Sequence, residues 1–223
     1  MMRQVNLQQR TYPIRHPLWL LAGFWFCVLI ALAVVFRRLS SLANPSTAGP
    51  PRMVAADATF ASHALLTEMH IIPAAIFVLL AVVVLLRSNG NAWLERAFFL
   101  LGAITGITAY AMSSYAIGGW IERSAVLVFN TWFLVSLGRA YWMHLHQNAT
   151  KQREWTTRAM GILLGIATTR PVMGVFFATS GRTHLQPDQF FGIAFWIGFS
   201  INAFVIELWL HSRRRAAMQR LPV

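Results

Sequence analysis

Six stretches of this 223-residue chain are each long and apolar enough to cross a lipid bilayer. They cover about residues 17–36, 61–86, 97–117, 124–143, 157–178 and 189–210. Each is close to the ~20 residues that an α-helix needs to cross ~30 Å of hydrocarbon. Because backbone polar groups find no water in lipid, such segments must be helical. The sequence therefore predicts a single all-α domain, a polytopic integral membrane bundle of six transmembrane helices.

The composition agrees with a membrane domain. Hydrophobic residues make up 57% of the chain and charged residues 12%, against about 25% charged in soluble domains. A cleavable signal peptide is the competing interpretation of the first span, because residues 41–43 resemble a cleavage site. Its apolar run is longer than the ~7–15 residues of a signal core, and Arg37 and Arg38 intervene, so we expect an uncleaved helix.

The distribution of Lys and Arg outside the spans predicts the orientation. If the N-terminus is cytoplasmic, the five outside residues are Arg37, Arg38, Arg52, Arg123 and Arg182. The twelve inside residues are Arg3, Arg10, Arg15, Arg87, Arg96, Lys151, Arg153, Arg158, Arg213, Arg214, Arg215 and Arg220. The positive-inside rule then predicts that both termini are cytoplasmic. The one long loop, residues 39–59, contains NPSTAGPP and is expected to be irregular and outside.

The formal net charge of +12 would also suit a nucleic-acid-binding protein. Most of the basic residues lie in loops and tails, however, where the positive-inside rule places them. The run Arg213-Arg214-Arg215 reads as a membrane-surface anchor that touches anionic lipid. We therefore expect the lipid bilayer as the partner, with other membrane subunits as a further option, and no nucleic acid.

Five ionisable side chains lie well inside the predicted spans: Glu68, His70, Arg139, Arg170 and Glu207. A charged group at this depth costs roughly 2.5–3.5 kcal/mol on insertion scales. Such a group usually faces a partner, a cavity or a bound ligand. These five residues are therefore the first candidates for function.

His70 and Arg170 fall at comparable depth in the outer halves of the second and fifth spans. Pro73 and Pro171 follow them closely, and a proline inside a helix removes one hydrogen bond and kinks the axis. Two kinks beside two polar residues, on different helices at matching depth, predict a cavity that opens outwards. His70 and Arg170 would line it.

Other polar residues are candidates for the same cavity. Helical spacing places His63 on the face of His70, whereas Glu68 points roughly the opposite way and could serve another contact. Tyr110 of the third span and Asn130 of the fourth occur at similar depth and could complete the lining.

Several roles stay open for the two principal residues. His70 could be bonded to a neighbouring helix, could ligate haem or another metal, or could take part in proton or quinone chemistry. Arg170 could be a structural cation held by freed carbonyls or by Glu68. It could instead bind a carboxylate, a phosphate or a cofactor propionate through its planar fork. His70 has no intramembrane histidine on another helix to pair with. This leaves a quinone, or a haem b with one histidine ligand, as the candidate cofactors.

Arg139 and Glu207 lie in the cytoplasmic thirds of the fourth and sixth spans. An ion pair between them is the simplest way to keep both side chains at that depth, and we predict this pair as a structural one. Asn202 is expected to make an interhelical hydrogen bond.

Residues 152–159, which read QREWTTRA, and the later Arg170 resemble the pattern of a bacterial family of membrane proteins, domain-of-unknown-function family 2306. The His70 span, followed by a basic and aromatic helix start at residues 93–96, is similar as well. His70, Trp155, Arg158 and Arg170 are the family-like positions. Glu95 or a neighbour, and Gln152, replace two histidines of the pattern. The resemblance covers about residues 63–210 and implies an integral membrane protein. We expect this protein in the inner membrane of a bacterium.

We therefore expect a redox-type membrane protein that holds a haem, a quinone or a similar cofactor in an outer-leaflet pocket. One alternative is a non-catalytic subunit of a larger membrane complex, which the 16 Phe and 9 Trp and the short loops would suit. A small-molecule transporter is a second alternative, with Pro73 and Pro171 as its only hint. The sequence shows no readable Ser-His-Asp arrangement, HExxH or P-loop, so no catalytic residue is assigned.

Overall fold

The protein is described by a computed structural model over residues 17–44, 51–86 and 92–219. Within these ranges all regular structure is helical. The helices are α1 (Leu18–Ala43), α2 (Pro51–Ala61), α3 (Ala64–Leu86), α4 (Ala92–Met112), α5 (Gly119–Leu145), α6 (Ala149–Leu163), α7 (Gly165–Thr183) and α8 (Pro187–Met218). A short 3₁₀ turn (Ser113–Tyr115) follows α4. The prediction of an all-α fold is confirmed.

Five segments of the described chain are long and apolar enough to span a membrane. They are Leu18–Ala43, Ala64–Leu85, Trp93–Tyr115, Ala149–Thr183 and Pro187–Ala216. Helix α5, the predicted fourth span, is not among them, and it carries Glu122, Arg123, Asn130 and Arg139. By length and composition, five helical segments of the described chain can span a membrane, whereas the sequence predicted six spans.

The predicted irregular loop over residues 39–59 is wrong at both of its ends. Helix α1 continues to Ala43, and α2 occupies Pro51–Ala61. Pro51 does not prevent this helix, because the first N–H groups of a helix have no intrahelical partner and the fixed φ of proline suits the first turn. Residues 45–50 lie outside the described residues, as do both termini (1–16 and 220–223), on which part of the predicted orientation depends.

The predicted fifth span is divided at Leu164 into α6 and α7. At the division the N–H of Ala167 bonds the carbonyl of Leu164, 3.0 Å away, in a tight turn. The side chain of Asn202 on α8 donates to the carbonyl of Gly161, 3.1 Å away, and accepts from the hydroxyl of Thr168 at 2.7 Å. The predicted interhelical hydrogen bond of Asn202 is confirmed, and it fixes the two sides of the helix break to α8.

The core is built around α5, which packs against α4, α6 and α8. Helix α3 pairs with α4, α7 pairs with α8, and α1 lies at the edge against α3 and α7. Phe77 and Phe98 stack with their ring centroids 4.6 Å apart, and Phe133 meets Phe77 edge-on at 5.8 Å. All three rings are fully buried, so aromatic packing joins α3, α4 and α5.

Close helix contact between α3, α4 and α5 requires a glycine. A Cβ at Gly102 would lie 2.6 Å from the Phe77 ring and 2.7 Å from a methyl group of Leu137. Small residues let helices approach closely in membranes, where packing replaces the hydrophobic drive. Gly102 therefore serves packing inside the bundle.

Candidate functional site

A cavity of about 240 Å³ lies between α1, α3, α4, α5, α7 and α8. It reaches from Arg38 and Phe60 to Ile162 and Leu164 beside the helix break. We call the first of these limits the α2 end of the bundle, because α2 lies there, between the end of α1 and the start of α3. Most of the lining is apolar, and its charged or strongly polar members are Arg38, His70, Glu122, Asn130 and Arg170. A few polar groups in an apolar concavity are typical of a small-molecule site.

Three of the residues predicted for a cavity line this one: His70, Arg170 and Asn130. Asn130 donates through its side chain to the carbonyl of Gly106, 2.8 Å away. That hydrogen bond joins α5 to α4 and occupies the side-chain nitrogen of Asn130. His70 and Arg170 therefore have the stronger claim to bind a ligand.

The other three predicted residues are not part of the lining. The ring of His63 stacks on Tyr115, which does line the cavity, with the ring centroids 3.6 Å apart. Tyr110 shares a hydrogen bond with the Thr131 hydroxyl at 2.6 Å on an exposed face. Glu68 is exposed on α3. His63 thus supports the cavity wall, whereas Tyr110 and Glu68 lie apart from it.

The contact of His70 with Thr108 favours the tautomer that carries the proton on Nδ1. Nδ1 lies 2.9 Å from the hydroxyl of Thr108, and that hydroxyl lies 2.7 Å from the carbonyl of Ile104. A hydroxyl has one proton and a carbonyl can only accept, so Thr108 donates to Ile104 and accepts from Nδ1–H. In a neutral imidazole, Nε2 then carries the lone pair. His70 is bonded to a neighbouring helix, and its other nitrogen can accept a proton.

Arg170 lies on α7 immediately before Pro171 and faces the cavity with few partners. Its Nε is buried without an acceptor, and Nη1 makes only a long contact to the Met173 sulfur, 3.8 Å away. Among the residues that the structure describes, no carboxylate forms an ion pair with it. Glu68 and the carbonyls freed by the proline are the partners that the sequence suggests for Arg170. Within the described residues, neither accepts a hydrogen bond from it. A guanidinium has five N–H donors, so most of this capacity is free for a ligand.

Arg38 lies at the end of α1 and reaches the cavity from the α2 end. Its Nη1 is 2.5 Å from Asp57 of α2, and Arg37 binds the other oxygen of the same carboxylate at 3.0 Å. The guanidinium of Arg38 also lies 3.9 Å above the centre of the Phe60 ring. The carboxylate of Asp57 thus forms ion pairs with both Arg37 and Arg38 and joins α2 to α1.

Glu122 is in the first turn of α5 and also lines the cavity. Its Oε2 accepts a hydrogen bond from the N–H of Gly118, 2.7 Å away. Burial raises the pKa of the Glu122 carboxyl, while this N–H and the charge of Arg170 act in the opposite direction. The charged form of Glu122 is therefore favoured by the Gly118 N–H and Arg170 and disfavoured by burial.

Sequence reasoning missed both Arg38 and Glu122. Both flank predicted spans, where charged residues are expected at the membrane surface. For Glu122 a usable signal was present, because an acid four residues after Gly118 at a helix start is typical of a residue that binds free N–H groups.

Three arginines (37, 38 and 170) and two acids (57 and 122) surround the α2 end of the cavity, which leaves an excess of one positive charge, 3 − 2 = +1.

The cavity fits the two candidate cofactors unequally. Its lining contains one histidine, and the described residues contain no group of three or more His, Cys, Asp or Glu that could hold a metal. Its 240 Å³ is below the ~300–1,000 Å³ that is usual for drug-sized ligands, and a haem is larger than most of those. The volume of the cavity is therefore too small for a haem, whereas a single ring with oxygen substituents is closer to it in size.

The predicted ion pair between Arg139 and Glu207 is wrong. Arg158 of α6 donates through Nε and Nη2 to the two carboxylate oxygens of Glu207, the second at 3.0 Å. Arg158 is 5% exposed and lies 4.3 Å from the centre of the Trp155 ring, whereas Arg139 is exposed. Because α6 begins as early as Ala149, Arg158 is carried into the bundle against α8. The predicted orientation counts Arg158 among the basic residues outside the spans.

A second polar cluster lies where α4 and α6 begin and α5 ends. Nδ1 of His144 is 2.7 Å from a carboxylate oxygen of Glu95, and the Gln152 amide donates to the same oxygen at 3.3 Å. The predicted resemblance to family 2306 has its two departures at Gln152 and at Glu95 or a neighbour. Glu95 and Gln152 hydrogen-bond to each other, and neither residue lines the cavity.

The fold and the cavity define the class of this protein: an all-helical, multi-pass membrane protein. No protein-family model, curated protein or solved structure matches the chain. The resemblance to family 2306 therefore stays a prediction, and the function has to be argued from the cavity.

Proposed function

We propose that this protein binds a quinone-type cofactor in the cavity between α3 and α7, with the oxygen-bearing ring held by Arg170 and His70. The observation that carries the proposal is the guanidinium of Arg170, which is buried at Nε without an acceptor and faces an apolar cavity. Burying a charged group without partners is costly. A ligand with acceptor oxygens would remove that cost.

Arg170 and His70 offer complementary groups to such a ring. Arg170 can only donate, so it suits a carbonyl oxygen, and its charge stabilises negative charge on that oxygen. His70 accepts at Nε2, because its Nδ1–H is bound to Thr108. A hydroxyl on the ligand would therefore donate to His70. A bound quinone would supply redox chemistry, while Arg170 and His70 bind and orient it, with Nε2 of His70 accepting from a ligand hydroxyl.

The walls of the cavity also suit an aromatic ring. Phe129 and Phe199 line it and stack on each other with their centroids 5.2 Å apart. Aromatic faces favour stacked or edge-on contact with another ring. The apolar remainder of the lining would accommodate alkyl substituents. The cavity thus combines an apolar body with a polar end, as an amphiphilic cofactor requires.

The proposal includes six membrane crossings, both termini in the cytoplasm and the inner membrane of a bacterium. Helix α5 would be the sixth crossing. It packs against α4, α6 and α8, so its polar Asn130 and buried Ser136 face protein. Polar residues inside a membrane bundle usually face its interior. A central helix therefore needs a less apolar surface than a helix surrounded by lipid.

The test is titration of the purified protein with a short-tailed benzoquinone, read by quenching of the intrinsic tryptophan fluorescence. We expect saturable quenching and a loss of at least about tenfold in affinity in Arg170→Leu, since charge-assisted hydrogen bonds contribute ~1.5–3 kcal/mol. Arg182→Leu is the matched control, because Arg182 is an exposed arginine on the same helix. Equal affinity in Arg170→Leu and the wild type would refute the assignment.

A further inference from the structure

We infer that Glu122 and the ligand compete for Arg170, so that filling the cavity is coupled to proton uptake by Glu122. The inference rests on the proposed function, because it needs a ligand that accepts hydrogen bonds from Arg170. Glu122 on α5 and Arg170 on α7 line the same cavity, and their opposite charges attract each other. The ligand would occupy N–H groups of Arg170, whose charge now attracts this carboxylate across the cavity.

The ionised form of Glu122 is held by few contacts. The N–H of Gly118 donates to Oε2 from 2.7 Å, and Arg170 supplies electrostatic attraction. Within the described ranges Glu122 makes no ion pair. Burial opposes these two supports and raises the pKa of the carboxyl. The charged form of Glu122 therefore depends on Arg170 and on the N–H of Gly118.

A bound ligand would weaken one of these supports and add to the burial. Its oxygen would take the free N–H groups of Arg170, and its body would bury the carboxylate further. Each change disfavours the charged carboxylate, so the pKa of Glu122 rises on binding. Between the pKa of the empty protein and that of the complex, the complex holds more protons. By linkage, the affinity then increases as the pH falls through that range.

The other titratable or charged groups of the cavity do not give the same dependence. Arg38 from α1 remains charged and is held by Asp57. His70 from α3 would lose its acceptor at Nε2 on protonation, so its titration would weaken binding as the pH falls, which is the opposite sign. Tyr115 from the 3₁₀ turn also lines the cavity, and its ring lies against that of His63. The segments of α4, α6 and α8 that line the cavity contain no titratable residue.

The first experiment measures the affinity for the same short-tailed benzoquinone from about pH 5 to about pH 9. A single linked proton changes affinity by at most about tenfold per pH unit. We expect the wild type to bind more tightly as the pH falls, and Glu122→Gln to lose this dependence. Asp188→Asn, which alters an exposed acid in the first turn of α8, should behave as the wild type. Binding by the wild type that does not depend on pH overturns the inference and leaves the proposed function intact.

The second experiment needs no ligand. The titration of buried carboxyl groups is followed by infrared spectroscopy in the wild type, in Glu122→Gln, which assigns the band, and in Arg170→Gln. Because Arg170 opposes protonation of Glu122, its loss should move the titration of this band to higher pH. An unchanged titration in a folded Arg170→Gln protein overturns the inference, whatever binds. If the benzoquinone binds at no pH, the proposed function fails and the competition fails with it, whereas this comparison still decides whether Arg170 stabilises the charge of Glu122.

Discussion

Arg158 donates two hydrogen bonds to the carboxylate of Glu207 and thereby joins α6 to α8. The two residues are 49 positions apart, and Arg158 is also 3.8 Å from Glu154, one turn earlier on α6. Trp155 covers the guanidinium, with its ring centre 4.3 Å from the central carbon. This contact closes the end of the bundle that is opposite to the α2 end.

The first prediction concerns the stability that this pair provides. Arg158→Leu should lower the free energy of unfolding by about 1–3 kcal/mol. Removing one partner of a fully buried pair costs ~3–5 kcal/mol, but the Glu207 side chain is 36% exposed and solvent screens its charge. Thermal unfolding in detergent would measure the change. Arg139→Leu is the control, and an equal loss in both variants would contradict the assigned partner.

Much of the fold could be predicted from the sequence, because long apolar runs are visible without knowledge of their neighbours. The break at Leu164 could not be predicted, since it carries no proline and depends on Asn202 from another helix. Helix α2 was missed because a proline-rich segment was read as a loop. The partner of Glu207 was missed because it depended on where α6 begins, which is less visible in sequence than an apolar run.

The residues of the candidate site could likewise be predicted from the sequence only in part. His70, Arg170 and Asn130 could be selected because a polar residue is conspicuous within an apolar run, and all three line the cavity. Arg38 and Glu122 could not be selected, because charged residues are normal at span ends. They reach the cavity only through the position of α1 and the first turn of α5, which are properties of the packed bundle.

The second prediction concerns the orientation of the His70 ring. Thr108→Val removes the acceptor that holds the proton at Nδ1. A neutral hydrogen bond contributes ~0.5–1.5 kcal/mol, so affinity for the reduced, hydroxyl-bearing benzoquinone should fall about two- to tenfold. The oxidised form should be affected less, since its oxygens only accept. Thr131→Val removes a comparable hydroxyl outside the cavity and should change neither affinity. Equal weakening of both forms by Thr108→Val would refute the proton assignment.

The third prediction tests the close packing of α3, α4 and α5. Gly102→Ala would place a methyl group 2.6 Å from the Phe77 ring, and overpacking of this kind costs typically ~1–3 kcal/mol. The melting temperature should fall accordingly. Gly138→Ala on α5 is the matched control, because no atom lies within 4 Å of its added Cβ. It should be neutral or stabilising by up to ~1 kcal/mol, because alanine is the better helix former. A neutral Gly102→Ala would show that the helices are further apart.

The fourth prediction tests the proposed six crossings. The sequence contains one cysteine, Cys27, so Cys27→Ala gives a background without thiols. Single cysteines would then be placed at four exposed positions near helix ends, in the variants Ser62→Cys, Thr150→Cys, Gln186→Cys and Ser212→Cys. With six crossings and cytoplasmic termini, a membrane-impermeant thiol reagent should label intact cells only at positions 62 and 186. After the membrane is opened, positions 150 and 212 should react as well.

The same four positions separate the alternatives. Helix α5 connects the α2 end of the bundle to the start of α6, so position 150 shows whether α5 crosses the membrane. If α5 lay on the membrane surface, position 150 would be labelled together with position 62 in intact cells. If the whole bundle were inverted, positions 150 and 212 would react in intact cells and positions 62 and 186 would not. Inversion would also place Arg38 and Glu122 on the cytoplasmic side, and the proton taken up by Glu122 would then come from the cytosol.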